Sequence, residues 1–418
     1  MVYVPFIYFT LLLLWYWHKY HKIGVGFVSI AWIDLSSVFS ILIDARGLYG
    51  DWGINDYAIT PFYTFLYCAL WTIVLYPLTK LDRQEYQIRI QKPQLFRLLC
   101  YFICISMALL IIFGDIREMI TNGINLSGAE NYENSHDYSE IYQGKSQYLL
   151  WIPTIVSVGY PLTIICWFIS ISICPQSSFI RWMLLLFSMS KMLTGFLSGG
   201  RAELLWWLVT FVMCYVFFRK HLSRRQIIRT RIAFIMGGVI ILVGFLSITF
   251  SRFDAGTDYA IDSLIGYAGQ PFNNFCAALP YSEWIKFRPE RVMPLTNLIV
   301  NHTHMDLNDY YELIADEYPI QINVFFTLFP IVIMDAGIGG LIIYLIIYLL
   351  IANHFLLPSK DQTSIDFSAL VILALISLYV VQGLFHNPFY HHFNTAYALF
   401  SFMLYFVFKY KFIFKSQA

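Results

Sequence analysis

The link between two long apolar runs reads Ser198-Gly199-Gly200-Arg201-Ala202-Glu203. So short a link holds the Arg201 guanidinium at a membrane–water boundary. The two glycines allow close backbone approach, leaving room for a bulky head group beside a fixed cation. Arginine suits phosphate or pyrophosphate because its planar fork donates paired, permanently charged hydrogen bonds. The plain alternative is a boundary arginine reaching for lipid phosphates. Arg252, in Thr249-Phe250-Ser251-Arg252-Phe253, ends another apolar run, so two guanidiniums at one depth would bracket a diphosphate. Arg288 and Arg291, in Lys286-Phe287-Arg288-Pro289-Glu290-Arg291, either extend that cationic site or form a solvated patch with Glu283 and Glu290.

Proton transfer needs a base. The stretch His386-Asn387-Pro388-Phe389-Tyr390-His391-His392 offers imidazoles, which titrate near neutrality, and Asp262 offers a carboxylate. Metal ligation is disfavoured there, since adjacent histidines rarely turn both rings to one ion and no Cys or carboxylate stands near. For hydroxyl recognition, Gly266-Tyr267-Ala268-Gly269-Gln270-Pro271-Phe272-Asn273-Asn274 sets Tyr267, Asn273 and Asn274 among glycines, a composition that suits a sugar-binding surface. Two charges fall midway along apolar runs, Asp34 and Lys191. At that depth charge marks function or pairing. The two would pair, or Lys191 would line a cavity below Arg201.

The elements that must position these groups are membrane helices. Apolar residues make up 58% of the 418 residues and charged ones 13%, against about 25% charged in an average globular chain. Lipid must be the solvent for most of this surface. Apolar runs near 2–17, 24–43, 62–79, 98–114, 149–173, 182–198, 203–218, 232–249, 337–357, 368–384 and 394–410 predict eleven spans. The fold class is therefore all-α and polytopic, a single membrane domain over 1–418. Lys80, Arg83, Arg89, Lys92 and Arg97 follow span three, Arg219, Lys220, Arg224, Arg225, Arg229 and Arg231 follow span seven, and Lys409, Lys411 and Lys415 end the chain. With eleven spans all three clusters face the cytoplasm. Residues 250–336 then form a large outer loop, or cap, with short helices. Its Ile320–Asp335 segment is an interfacial or re-entrant helix turning at Gly337, Gly339 and Gly340 into span nine. The net charge of +1 argues against nucleic acid. The seven cysteines imply no disulfide framework. Neither a P-loop nor a GxGxxG motif occurs, so the substrate must carry its own energy and no cofactor is expected.

Ser-Gly-Gly-Arg between two central spans resembles the O-antigen, or oligosaccharide repeat-unit, polymerases (Wzy type) of bacterial envelopes. The Tyr/Gly/Asn-rich stretch after a boundary arginine and the Asp335-Ala-Gly-Ile-Gly-Gly turn before a late span carry the same likeness. It covers most of the chain in layout and a handful of residues in detail. The resemblance implies a GT-C-like membrane glycosyltransferase of the bacterial inner membrane, its active site facing the periplasm. Its substrates would be undecaprenyl-diphosphate-linked oligosaccharides, polymerised by inverting transfer with a lipid diphosphate leaving group. Membrane lipid and a chain-length regulator protein are the implied partners. Arg201 and Arg252 match the arginines that the family places near the pyrophosphate. His386 is a looser match, closer to the outer-loop histidine of the O-antigen ligases. A ligase, or a transporter or flippase of a lipid-linked sugar, is the alternative.

Overall fold

The computed structural model describes residues 1–50, 59–83, 85–113, 147–192, 202–252, 257–286, 317–318, 327–357, 363–388 and 392–410. In chain order its main helices and strands are α1 (Tyr3–Tyr20), α2 (Val25–Arg46), α3 (Pro61–Leu81), β1 (Gln87–Arg89), α4 (Pro93–Phe113), α5 (Gln147–Val158) and α6 (Tyr160–Ser172). There follow α7 (Ser178–Ser188), α8 (Ala202–Phe218), α9 (Arg224–Arg252), α10 (Thr257–Ala278), α11 (Leu328–Ile351), β2 (Ser364–Asp366), α12 (Phe367–Gly383) and α13 (His392–Lys409). Six of the described helices are long and apolar enough to cross a membrane: α2, α3, α4, α8, α9 and α11. The α5–α6 pair adds a seventh candidate, bent by 72°. Large apolar side chains stand exposed along these helices, among them Phe65, Leu98, Ile105, Val243 and Leu350. A water-soluble chain would bury such a surface; here lipid covers it. The protein is a helical, multi-span membrane protein.

The chain divides into two compact units. The first comprises Met1–Arg83, Thr249–Leu350 and Leu378–Thr395. One carboxylate ties its first three helices together. Asp82, just past α3, accepts hydrogen bonds from Tyr16 Oη at 2.6 Å and from the amides of Val25 at 3.0 Å and Gly26 at 2.6 Å. The two amides open α2 and would otherwise have no intrahelical acceptor. Burial pushes the Asp82 carboxyl above the usual carboxylate range, and the bonds from Tyr16, Gly26 and Val25 pull it back.

Helix α10 lies antiparallel along α2. Arg46 meets Asp262, Ile43 packs with Ile265, Ser40 donates to the Gly269 carbonyl at 2.5 Å, and Ser36 donates to the Ala268 carbonyl at 2.7 Å. A Cβ on Gly269 would stand 2.5 Å from the carbonyl carbon of Phe39, so only glycine lets the two backbones come this close. Pro271 inside α10 has no N–H to give the Tyr267 carbonyl. The sequence places 257–278 in a large outer loop or cap with short helices; the structure forms one 22-residue helix there, which follows α2 for several turns.

Helix α11 breaks at Gly337, where φ is 72° and ψ −179°. Any side chain is strained there, and a Cβ would also meet the Trp284 carbonyl at 2.8 Å. Beyond the break, Ile338 N and Gly339 N donate to the Glu283 and Trp284 carbonyls at 2.9 and 3.0 Å. This is the turn into a long apolar helix that the glycines predict.

The second unit comprises Gln84–Ile248, Ile351–Ser377 and Ala396–Ala418. Strands β1 and β2 pair in parallel, with Ile88 opposite Ile365. Around them Phe96 and Phe408 pack edge-to-face on Phe367, at 5.2 and 4.5 Å between ring centroids. Lys92 Nζ donates to the Val407 and Tyr410 carbonyls at 2.5 Å each, satisfying the end of α13. Phe168 of α6 stacks on Phe218 of α8 at 5.4 Å. Buried serines pair here: Ser157 with Ser190 at 3.1 Å, and Ser188 with the Trp207 indole at 3.2 Å.

Candidate functional site

Helix α2 serves as a ruler for the first unit. Its 22 residues span roughly 33 Å at 1.5 Å per residue. Asp82 marks its Val25 end and the Arg46–Asp262 pair its other end. Ser36, near the middle, touches α10 at Ala268. Trp32, one turn below, donates from Nε1 to the Val381 carbonyl of α12 at 3.1 Å and packs on Phe385 at 5.7 Å. Beside α2, Tyr67 of α3 meets Phe272 and Phe275 of α10 at 5.0 and 5.3 Å. Trp71 of α3 meets Phe329 of α11 at 5.0 Å, and Phe275 meets the same ring at 6.2 Å. The broken α11, the end of α12 and the inner half of α10 therefore converge on one level, midway along α2.

Polar side chains gather at that level. Tyr267, Gln270, Asn273 and Asn274 recur at helical spacing and share a face of α10, turned from Gly269 and Phe272, which meet α2 and α3. Asn274 Nδ2 donates to Gln270 Oε1 at 3.4 Å. Tyr67 Oη and Trp71 Nε1 of α3 are buried there with no hydrogen-bond partner among the described residues, and so are polar atoms of four non-aromatic side chains. The latter are Gln270 Nε2, both amide atoms of Asn273, Thr327 Oγ1 just before α11, and Gln382 Oε1 near the end of α12. These four residues are 0%, 2%, 0% and 3% exposed, respectively. A buried unpaired polar group costs about 1–3 kcal/mol, and lipid supplies no substitute partner. Such groups call for an explanation, and a bound molecule that completes them is one.

At the Arg46 end the chemistry is ionic. Arg46 Nη1 lies 2.5 Å from Asp262 Oδ1, with the side chains 44% and 26% exposed. One carboxylate oxygen engages one nitrogen of the guanidinium. Arg46 therefore stands at the end of α2 with its fork toward α10, a cation that the sequence reading passed over. Its signal was its place at the close of span two, in Asp44-Ala45-Arg46-Gly47.

The predicted site residues divide accordingly. Tyr267, Asn273 and Asn274 fall together on one face of α10, with Tyr267 half-buried and both asparagines buried. Asp262 stands on the same helix, but in an ion pair with Arg46; as it stands, its carboxylate is committed to a cation. His386, expected in a loop, lies in the bend that follows α12, its amide donating to the Gln382 carbonyl at 3.0 Å; the ring of the preceding Phe385 meets Trp32 of α2. Asp34, a candidate partner for Lys191, accepts from Thr10 Oγ1 at 3.2 and 3.1 Å within the first unit. Lys191 belongs to the second unit, beside the Ser190–Ser157 hydroxyl pair. Arg201, Arg288, Arg291 and the side chain of Arg252 lie outside the described residues. Gln270, Thr327 and Gln382 are additions from the structure. Gln270 stands within the stretch read as sugar-binding, whereas Thr327 and Gln382 sit in apolar surroundings that give no sequence signal. Among the described residues no group of three His, Cys, Asp or Glu side chains could hold a metal ion. Compared with family models, with curated proteins and with solved structures, the chain finds no match.

Proposed function

We propose that the protein is a membrane-embedded glycosyltransferase that polymerises lipid-diphosphate-linked oligosaccharide repeat units in a bacterial inner membrane, working on the face away from the cytoplasm. The observation that carries this reading is the amide-bearing face of α10, held inside a membrane unit below a guanidinium. Amides and a phenol meet sugar hydroxyls, and a guanidinium meets phosphate. The eleven-span layout and the Ser-Gly-Gly-Arg link support it from the sequence.

In this reading an acceptor hydroxyl attacks the anomeric carbon of the donor glycan. The bond from that carbon to the phosphate oxygen breaks, and the lipid diphosphate departs with the electron pair. A single displacement inverts the anomeric centre. Arg201 and Arg252, with Arg288, Arg291 and Arg46 in reserve, stabilise the charge that grows on the leaving group. His386 takes the hydroxyl proton; its place beside Phe385, near the level of Asn273, supports that role over Asp262. Tyr267, Asn273 and Asn274 hold the saccharide. Lys191 would serve the diphosphate from deeper in its span.

Purified protein given undecaprenyl-diphosphate-linked repeat units in detergent should make longer glycans. Arg201→Ala should abolish long chains while the protein still reaches the membrane. Near-normal chain lengths in that variant would refute the role of Arg201. A second reading, transport of a lipid-linked sugar, draws on the α5–α6 bend and the break at Gly337, since broken helices beside mid-depth polar groups also build transporters. Movement between liposome leaflets without elongation would select it.

A further inference from the structure

Gln270, Asn273, Thr327 and Gln382 come from three chain segments, and packing brings those segments together. Leu328, next to Thr327, occupies the space that a side chain on Gly383 would fill; a Cβ there would stand 2.6 Å from Leu328 Cδ2. Gln382 is the residue before that glycine. Phe329, two residues past Thr327, packs on Phe275, two residues past Asn273. The unpartnered atoms are all uncharged. Gln270 Nε2 donates, Gln382 Oε1 accepts, Asn273 offers both an acceptor and a donor, and Thr327 Oγ1 does either. Aromatic rings stand at the same level: Trp71, Phe275 and Phe329.

We infer that Gln270, Asn273, Thr327 and Gln382 form a binding site for an uncharged, hydroxyl-bearing ring, a saccharide, at mid-depth in the first unit. The reasoning is one of complementarity. A phosphate offers acceptors to a site and would call for donors or cations. Vicinal sugar hydroxyls both give and take hydrogen bonds, as this mixed set requires, and the ring face is apolar enough to lie against aromatic carbon. The inference deepens the proposed function and rests on it for the identity of the saccharide: it adds Gln270, Thr327 and Gln382 to the residues that hold the glycan, below the diphosphate rather than beside it. Two segments of the site, the opening of α11 and the close of α12, lie at interrupted or ending helices, where small backbone shifts can admit a ring.

The test uses the full-length protein in detergent and follows its thermal unfolding with D-glucose, D-galactose or N-acetyl-D-glucosamine, with mannitol as the osmolyte control. Thr327→Val and Gln382→Leu keep side-chain volume and remove the polar atom. At least one sugar should raise Tm in the unaltered protein beyond mannitol. In each variant that excess should need about tenfold more sugar, the size of one neutral hydrogen bond. Without sugar Thr327→Val should melt no lower than the parent, because its unpaired buried hydroxyl has been replaced by carbon. Lower sugar-free Tm in Thr327→Val would assign its hydroxyl to the protein's own hydrogen bonding and overturn the proposal; so would equal protection in parent and variants. The polymerisation assay reads the other claim separately. Sugar protection without elongation keeps the site and removes the polymerase, whereas elongation untouched by either substitution keeps the polymerase and removes the site.

Discussion

The Val25 end of α2 and its middle treat buried polar groups in opposite ways. At the end, Asp82 meets three donors from two other parts of the first unit. At the middle, the amide of Asn273 is just as buried and meets none among the described residues. A membrane helix cannot leave a polar group unpaired without cost, so the two sites are built for different ends. The first completes itself and holds helices together. The second is left open, and in the site inferred above a saccharide would complete it.

The largest effect that could break this contrast is on Asp82. Removing the carboxylate strands the Tyr16 hydroxyl and the opening amides of α2. Asp82→Ala should destabilise the protein by about 3 kcal/mol or more, since three buried donors each lose their acceptor at about 1–3 kcal/mol apiece. Asp82→Asn should cost less, because burial already works against the charged form. Unfolding in mixed micelles with a denaturing detergent measures both. If Asp82→Ala unfolds no more readily than Asn273→Leu, the two regions do not differ and the contrast fails.

A smaller effect sharpens the same contrast at the α2–α10 contact, which positions the amide face. A methyl on Gly269 must push back the backbone of Phe39 and Ser40, so Gly269→Ala should cost about 1–3 kcal/mol. Gly237 on α9 has nothing within 4 Å of the position its Cβ would take. Gly237→Ala should therefore be neutral or gain up to about 1 kcal/mol through helix propensity. Equal responses at the two glycines would mean that α10 does not press on α2 as described.

The sequence shows some of this plainly and hides the rest for physical reasons. Runs such as 24–43 and 62–79 show as membrane helices because lipid rewards unbroken apolar surface, and α2 and α3 cover them. Gly337 shows because only glycine turns a chain sharply between two apolar runs. Helix α10 does not show. Asp258, Asp262, Gln270, Asn273 and Asn274 give it the composition of a solvated loop, although its apolar Ile265, Phe272 and Phe275 face α2 and α3. Asp82 is hidden for the opposite reason: between Lys80 and Arg83 it reads as one more exposed charge. The partnership that buries it comes from Tyr16 and Gly26, more than fifty residues away. Spacing reveals local order, but not which distant group will complete a polar side chain.

The smallest expected stability change is also the most informative about function. Arg46 and Asp262 form a pair exposed enough for water and salt to screen, so their coupling in a double-mutant cycle should stay below about 1 kcal/mol. Activity need not follow that figure. If Arg46 grips a diphosphate, Arg46→Ala should shorten the glycans sharply. Arg46→Lys should recover little, because an ammonium keeps the charge and loses the planar fork. Asp262→Asn should leave chain length near normal, since it frees the guanidinium rather than removing it. Chain lengths that fall in step with the small loss of stability, and equally in all three variants, would return Arg46 to the role of a surface ion pair. The cationic end of the site would then rest on Arg201 and Arg252, with Arg288, Arg291 and Lys191 behind them.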